Sequence, residues 1–320
     1  MFFVIASGPM DTSYHTPVLV EPVLRYLLNS PDGIYVDGTL GGGGHAEAIL
    51  ARLSDHGRLI GVDADTDAIS FSGKRLNRFG TRFRCINDNF ANIKHALHTI
   101  GVERINGLLL DLGISSHQVD ESRRGFSYRT DVNIDMRMDQ SGILDGQEII
   151  NHYSQTQLAE LFWKFGEERY SRKIAARIIK VRSERPVQTT GDLRSVIQEV
   201  VSPQFLTNTL ARVFQAIRIE VNHELDNLRI VLRDAVELLT SDGRIVVISY
   251  HSLEDRIVKS FFRNESAEHH RSKNKLLPDV PCQPTLRVLT KKPIVPLDDE
   301  ITRNPRARSA KLRAAERIER

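Results

Sequence analysis

Four consecutive glycines, Gly41 to Gly44, follow closely on the apolar run Ile34-Tyr35-Val36 and its acid Asp37, and lead into the helical spacing of Ala46, Ala48, Ile49 and Leu53. This is a strand, a glycine loop and a helix start, and the missing side chains let a ligand approach the backbone closely. Gly41-x-Gly43-x-x-Ala46 fits the dinucleotide fingerprint formally, and Asp63 stands about 20 residues later at the end of a second apolar run, where an acid holds a ribose hydroxyl. Asp37 divides the two cofactors that such a loop admits. A pyrophosphate on a helix N-terminus wants amides and no anion, whereas S-adenosylmethionine offers an ammonium and a sulfonium that a carboxylate attracts. The acid favours the methyl donor over a nicotinamide dinucleotide. No Gly-Lys-Ser/Thr follows the glycines, which excludes P-loop chemistry.

The same pattern recurs along the first third. Arg58 to Val62, Arg82 to Ile86 and Leu108 to Leu110 read as further strands alternating with helical patterns, and all four runs end near an acid: Asp37, Asp63, Asp88 and Asp111. Alternation of this kind predicts an α/β fold with a mostly parallel sheet. Ligands of such sheets collect at the carboxyl ends of the strands, so the four acids are expected to face one crevice, the alternative being ordinary turns. Asp88-Asn89-Phe90 adds a polar pair beside a ring, as an adenine site would use, although Phe90 reads equally well as core.

A fifth strand, Ile245 to Ile248, follows an amphipathic helix through Leu225, Leu228, Leu232, Val236 and Leu239, with Asn222 as its expected cap. Asp111 and Ile245 are 134 positions apart, but one crossover needs only about 30 residues. The surplus reads helical, punctuated by Gly166, Pro186 and Pro203, and predicts an all-helical subdomain inserted between strands four and five. The expected division is a leader over 1–14, a donor-binding domain over 15–118 and 222–320, and the insert over 119–221.

With 40% hydrophobic and 27% charged residues and no apolar run near the ~18 that span a bilayer, collagen-like, disordered and membrane-embedded classes drop out. The opening Met1 to Ala6 is too short and lacks the basic start of a signal peptide, so a cytoplasmic protein is expected, with translation starting at Met1 or Met10. Two distant cysteines, Cys85 and Cys282, give neither a disulfide framework nor a metal spacing. The net charge of +3 is uneven: from Asp255 onward 16 Lys/Arg face 9 Asp/Glu (+7), and the rest carries 28 against 32 (−4). Trp163 to Arg185 adds eight positive residues against three negative. Two separated basic stretches favour a polyanionic partner.

Here the residues meet a known pattern. His15-Thr16-Pro17-Val18-Leu19, the loop Asp37 to His45, Asp111-Leu112-Gly113-Ile114-Ser115-Ser116, Arg124-Gly125-Phe126-Ser127, Asp135-Met136-Arg137-Met138, Tyr250-His251-Ser252-Leu253-Glu254-Asp255-Arg256 and Asn304-Pro305-Arg306-Ala307-Arg308-Ser309 together resemble the RsmH (MraW) family, the bacterial 16S rRNA (cytosine-N4) methyltransferases. The resemblance runs in family order from about His15 to the C-terminus. It implies a class I methyltransferase (Rossmann-like) fold, S-adenosylmethionine as donor, and a cytosine in the decoding (P-site) region of 16S rRNA in the small ribosomal subunit as acceptor. The family's cofactor contacts fall on Gly43, Gly44, His45, Asp63, Phe90, Asp111 and Gln118. His117 and Val119 depart from the Pro and Leu expected beside Gln118. The resemblance leaves monomer and homodimer both open.

Transfer to an exocyclic amine needs no covalent enzyme intermediate, only acceptors for the N4 hydrogens and a methyl near attack distance. The expected acceptors are Asp111 with the Ser115-Ser116 turn, and Ser249, His251 and Ser252 after strand five, with Tyr250 as a stacking ring. His251 equally suits a structural role, and Glu254-Asp255-Arg256 a helix-start cluster. Asp111-Leu112-Gly113 replaces the Asp/Asn/Ser-Pro-Pro-aromatic motif common in amine methyltransferases. Pro281-Cys282 matches the nucleophile pair of carbon-5 enzymes, but its irregular surroundings fit a loop cysteine. Phosphate contacts are expected from Arg123, Arg124, the helix Arg169 to Arg185, and Arg303, Arg306, Arg308, Lys311 and Arg313. Ala310 to Ala315 equally suits a strand against Leu286 to Leu289 at the sheet edge, and the two readings are compatible, since a strand exposes one face. The competing functions are a nicotinamide-dependent oxidoreductase and a non-catalytic ribosome-assembly RNA-binding factor. No metal is signalled.

Overall fold

The computed structural model describes residues 17–115, 121–270 and 279–319. Strands β1 (Ile34–Asp37), β2 (Arg58–Asp63), β3 (Phe83–Asn87), β4 (Ile105–Asp111) and β5 (Leu239–Ser249) lie parallel. A two-residue ladder of β6 (His269–His270) and β7 (Val280–Pro281) stands apart, and β8 (Leu286–Val288) and β9 (Lys311–Arg317) complete a seven-stranded sheet of order β3-β2-β1-β4-β5-β9-β8. β9 runs antiparallel to both neighbours. The strand order reverses at β1, which pairs with β2 on one side and β4 on the other, so the crevice at the carboxyl ends of these strands is the ligand position the topology dictates. Order, switch point and the single reversed strand are those of a class I methyltransferase sheet.

Parallel strands covered on both faces read as continuous apolar runs, which is why they were legible. Alternate residues of β4 point to opposite layers: Leu108 and Leu110 join the core under α4 (Ile93–Thr99), α10 (Glu224–Leu238) and α11 (Ser252–Glu265), while Leu109 joins that under α1 (Val20–Leu27) and α2 (Gly44–Leu50). The helix α3 (Thr66–Leu76) follows β2 and opens on an Asp65 cap. Among the described residues between β4 and α10, five helices, α5 (Gly146–His152), α6 (Gln155–Gly166), α7 (Ser171–Arg182), α8 (Thr190–Gln198) and α9 (Pro203–Val221), surround their own apolar cluster, which runs from Phe126 to Val221. Ser154 with Gln157 and Thr189 with Asp192 form capping boxes that fix where α6 and α8 start. A final helix, α12 (Asp298–Arg303), precedes β9.

Three local expectations need correction. β3 starts at Phe83, not Arg82, and β5 starts at Leu239, because Thr240 to Gly243 interrupts the register with β4 and Asp242 takes φ 60°. Asn222 does not cap α10, whose entry residue His223 is left-handed at φ 50°. Its side chain instead accepts from the Met138 N–H at 2.8 Å and donates to the Met136 and Arg218 carbonyls at 2.8 and 2.9 Å.

Arg124, expected on an RNA face, is buried at 5% exposure. One of its guanidinium nitrogens, Nη1, lies 3.0 Å from the buried Asp65, and Nη2 donates to the Arg137 and Met138 carbonyls at 3.0 Å. The insert is thereby tied to the residue just beyond the end of β2. Removing one partner of a buried pair strands the other charge. Arg124→Met should therefore cost about 3–5 kcal/mol in urea unfolding, and a cost below about 1 kcal/mol would mean that the charges are not buried against each other.

Candidate functional site

At the switch point lies a cavity of about 640 Å³, lined by the glycine loop, Asp63, Phe90 and Asp111 together with Met138, Leu144, Arg218 and Glu224. Gly41 and Gly43 hold φ of +48° and +72°, left-handed values that side chains disfavour, and so turn the chain from β1 into α2. The Gly41 N–H donates to Asp63 Oδ2 at 2.8 Å and the Asp65 N–H to Asp63 Oδ1 at 2.9 Å. The Asp63 carboxylate therefore shapes the loop and keeps lone pairs for a ligand's hydroxyls.

Of the four strand-end acids, Asp63 and Asp111 reach the cavity wall. Asp37 is buried beneath the loop at 1% exposure, accepting the Thr39 N–H at 3.2 Å. Asp88 turns back on its own loop, accepting from the Asn89 N–H and the Asn92 amide. Burial, with the nearby Asp111 and Asp63 charges, pushes Asp37 up to about 7 against the pull of Thr39. Burial pushes Asp63 up to about 6. Crowded carboxyl groups short of countercharge favour a cationic ligand, and the ammonium and sulfonium of S-adenosylmethionine fit that need. A cation prefers the ionised carboxylates, so donor affinity should rise with pH as Asp63 and then Asp37 lose their protons. Between about pH 5 and pH 8 the dissociation constant should fall at least ~10-fold, with proton release. A flat calorimetric profile would contradict these assignments.

His45 is 5% exposed, its Nε2 lies 2.8 Å from the Val18 carbonyl, and burial lowers it to about 4, so it is neutral. Nε2–H donates to Val18, and Nδ1 faces Asp111 Oδ2 at 3.5 Å. The other Asp111 oxygen accepts the Tyr250 hydroxyl at 2.9 Å, and the Asp111 N–H donates to Thr39 Oγ1 at 2.6 Å. Burial and the Asp111 charge push the Tyr250 phenol well above its usual value, keeping it a donor. Tyr250 thus steadies a carboxylate, where a stacking ring was expected. Phe90 both lines the cavity and packs on the core, so its two readings hold together. Gln118 lies outside the described residues.

Ser249, His251 and Ser252 do not line the cavity. Ser249 is 2% exposed, paired with Lys311 of β9 and with its hydroxyl 3.4 Å from the Lys311 carbonyl. The His251 Nδ1 accepts the Glu254 N–H at 3.4 Å as the cap of α11, and Ser252 binds the Glu167 carboxylate at 3.0 Å. None of the three is placed as a proton acceptor.

Arg218 and Glu224 carry no signal in the sequence, and Glu254 is legible there only as part of a helix-start cluster, a place it does hold in the capping box of α11. Glu254 is 2% exposed and accepts the Tyr250 and His251 N–H groups at 2.9 and 3.3 Å. Burial raises its pKa, but the His251 contact and the Arg218 charge outweigh that and hold it below the usual range. Arg218 Nε and Nη2 each donate at 2.8 Å to Glu224. Among the described residues, Glu224, His251 and Glu254 bring ligand atoms within 4.8 Å of one another. The guanidinium already supplies the positive charge there, and the His251 cap leaves its proton on Nε2, so the set suits an arginine better than a metal ion.

Several phosphate candidates are spent internally. Arg313 is 7% exposed and pairs with Asp255 at 2.7 Å, since β9 lies inside the sheet between β5 and β8. Arg177, half-buried, pairs with Glu199, whereas Arg185 pairs with Asp192 yet stays exposed. Arg123, Arg169, Arg172, Lys173, Arg303, Arg306 and Arg308 are exposed, and Lys311 is half-buried. The Cys282 thiol lies away from the cavity, 3.1 Å from the Ala267 carbonyl.

Residues 12–318 match the model of the MraW methylase family. The Ribosomal RNA small subunit methyltransferase H of Fusobacterium nucleatum is 45% identical over 311 residues, covering 97% of this chain and 98% of its own. That of Chloroherpeton thalassium is 46% identical over 323 residues, covering 97% and 100%. A third, from Caldicellulosiruptor saccharolyticus, is 45% identical over 307 residues, covering 95% and 99%.

Proposed function

The chain belongs to the MraW methylase family, and from that premise we propose that it transfers a methyl group from S-adenosylmethionine to the exocyclic N4 of a cytosine in the decoding region of 16S rRNA, within the small ribosomal subunit. The observation that carries this reading is Asp111: a carboxylate at the end of β4, gripped by Tyr250 and set beside the donor loop. When bound, the donor supplies an electrophilic sulfonium methyl; N4 attacks it, the carbon–sulfur bond breaks, and a neutral thioether leaves. Asp63 holds the ribose hydroxyls, and the glycine loop lets the donor's amino acid end lie against the backbone. Asp111 Oδ2 accepts an N4 hydrogen, localising the lone pair for attack and then taking the proton. Neutral His45 adds no charge to compete with it.

The insert over 119–221 presents the subunit to this site, and 15–118 with 222–320 carry the donor. Among the described residues no helix is long and apolar enough to cross a membrane, and the working place is the bacterial cytoplasm. Family membership displaces the nicotinamide-dependent reading; the assembly-factor reading differs by predicting binding without turnover. Small subunits from cells lacking this protein should accept labelled methyl into their rRNA, and subunits from normal cells should not. Equal labelling of both would sink the proposal. Charge reversal at Arg169, Arg172 and Lys173 together should weaken subunit binding at least ~10-fold at low salt with donor affinity unchanged; equal loss of both ligands would refute separate surfaces.

A further inference from the structure

A cavity that must turn one amine of a base toward Asp111 also has to recognise the rest of that base. Arg218 lines the same cavity, its side chain 13% exposed. Two of its three nitrogens, Nε and Nη2, are committed to the two oxygens of Glu224, itself 10% exposed. That fork-on-fork pairing fixes the guanidinium plane. The third nitrogen, Nη1, makes no hydrogen bond among the described residues, yet it is not among the enclosed atoms left without a partner. It therefore keeps N–H donors of fixed direction for whatever enters the cavity.

Deepening the proposed N4 reading, on which this rests, we infer that Arg218 reads the acceptor edge of the target cytosine, donating from Nη1 to its N3 and O2 while the amine faces Asp111. Passing along that edge, cytosine offers a donor at N4, then acceptors at N3 and O2. Uracil reverses the first two. Adenine carries a C–H where the third would stand. A carboxylate set to meet the amine and a fixed guanidinium beside it to meet the two acceptors match cytosine alone of the three. Glu224 orients the guanidinium and leaves the base contact to Nη1. A base drawn from its stack is read this way, by hydrogen bonds to its pairing edge.

The test compares substrates differing by one atom. Reconstituted small subunits would carry cytidine, 3-deazacytidine or 2-thiocytidine at the target position, each retaining the N4 amine. For each enzyme the cytidine-to-analogue ratio of kcat/KM is measured, and comparing ratios between enzymes cancels the altered reactivity of the amine. For at least one analogue, the wild-type ratio should exceed that of Arg218→Met by about ten- to a hundred-fold, as expected when a charged hydrogen bond is present in one enzyme and absent in the other. Glu224→Gln, which keeps Arg218 but loosens it, should fall between and serves if Arg218→Met does not fold. A purely structural role lowers all rates and leaves the ratios equal. Equal ratios with an active wild-type protein would overturn this assignment alone; wild-type transfer to no cytidine would overturn the parent reading and this one with it.

Discussion

Replacing Asp63 by alanine should raise the dissociation constant for S-adenosylmethionine by about 100-fold, the weight of charge-assisted hydrogen bonds from ribose hydroxyls, while affinity for the small subunit stays within about two-fold. The carboxylate works twice. It ends β2 at the switch point, and it accepts the Gly41 and Asp65 N–H groups, so its loss also frees the loop that the donor lies on. Asp63→Asn separates the two roles, since an amide oxygen still accepts one backbone N–H without the charge. Titration calorimetry of both variants with donor, beside subunit binding, reads the effect. A loss shared equally by both ligands would show that Asp63 supports the whole fold rather than the donor site.

Asp111→Asn should lower kcat by about 10²–10³-fold, the range of a positioned general base, with donor affinity falling much less. The amide oxygen can still accept from Tyr250, and the backbone N–H still donates to Thr39, but the side chain cannot take a proton. Tyr250→Phe, which leaves the carboxylate in place and removes the hydroxyl that holds Oδ1, should cost roughly ten-fold in kcat. Single-turnover transfer at saturating donor separates chemistry from binding. Near-normal kcat for Asp111→Asn would remove it as the acceptor of the N4 proton.

The proposed donor half of this site was legible because its signals are local. A glycine loop between a strand and a helix, with an acid about 20 residues on, is confined to one βαβ stretch. Phe90 and Asp111 were placed by the same strand-end logic. The acceptor half depends on pairings across the chain. Arg218 and Glu224 occur on helices whose apolar stripes explain their neighbours, so single charges there read as a solvated face, and Glu254 reads as part of a helix-start cluster; the fold brings all three to the cavity lining. Arg124 and Arg313 read as surface cations because basic stretches usually are, yet Asp65 and Asp255 draw them inward. Ser249 was misplaced for a different reason. Its place at a strand's carboxyl end is legible, but not that β9, a distant segment, pairs there and covers it, with Ser249 opposite Lys311. The polar run Thr240 to Gly243 hid the start of β5 by breaking its apolar signal.

The central claim is that the methyl goes to an exocyclic nitrogen held against Asp111. It is tested most directly by incubating small subunits from cells lacking this protein with labelled S-adenosylmethionine, digesting the 16S rRNA, and identifying the labelled nucleoside by mass and fragmentation. Label in N4-methylcytidine alone, absent with Asp111→Asn, is the expected result; label on the ring carbon of cytidine, or on any other nucleoside, would contradict it.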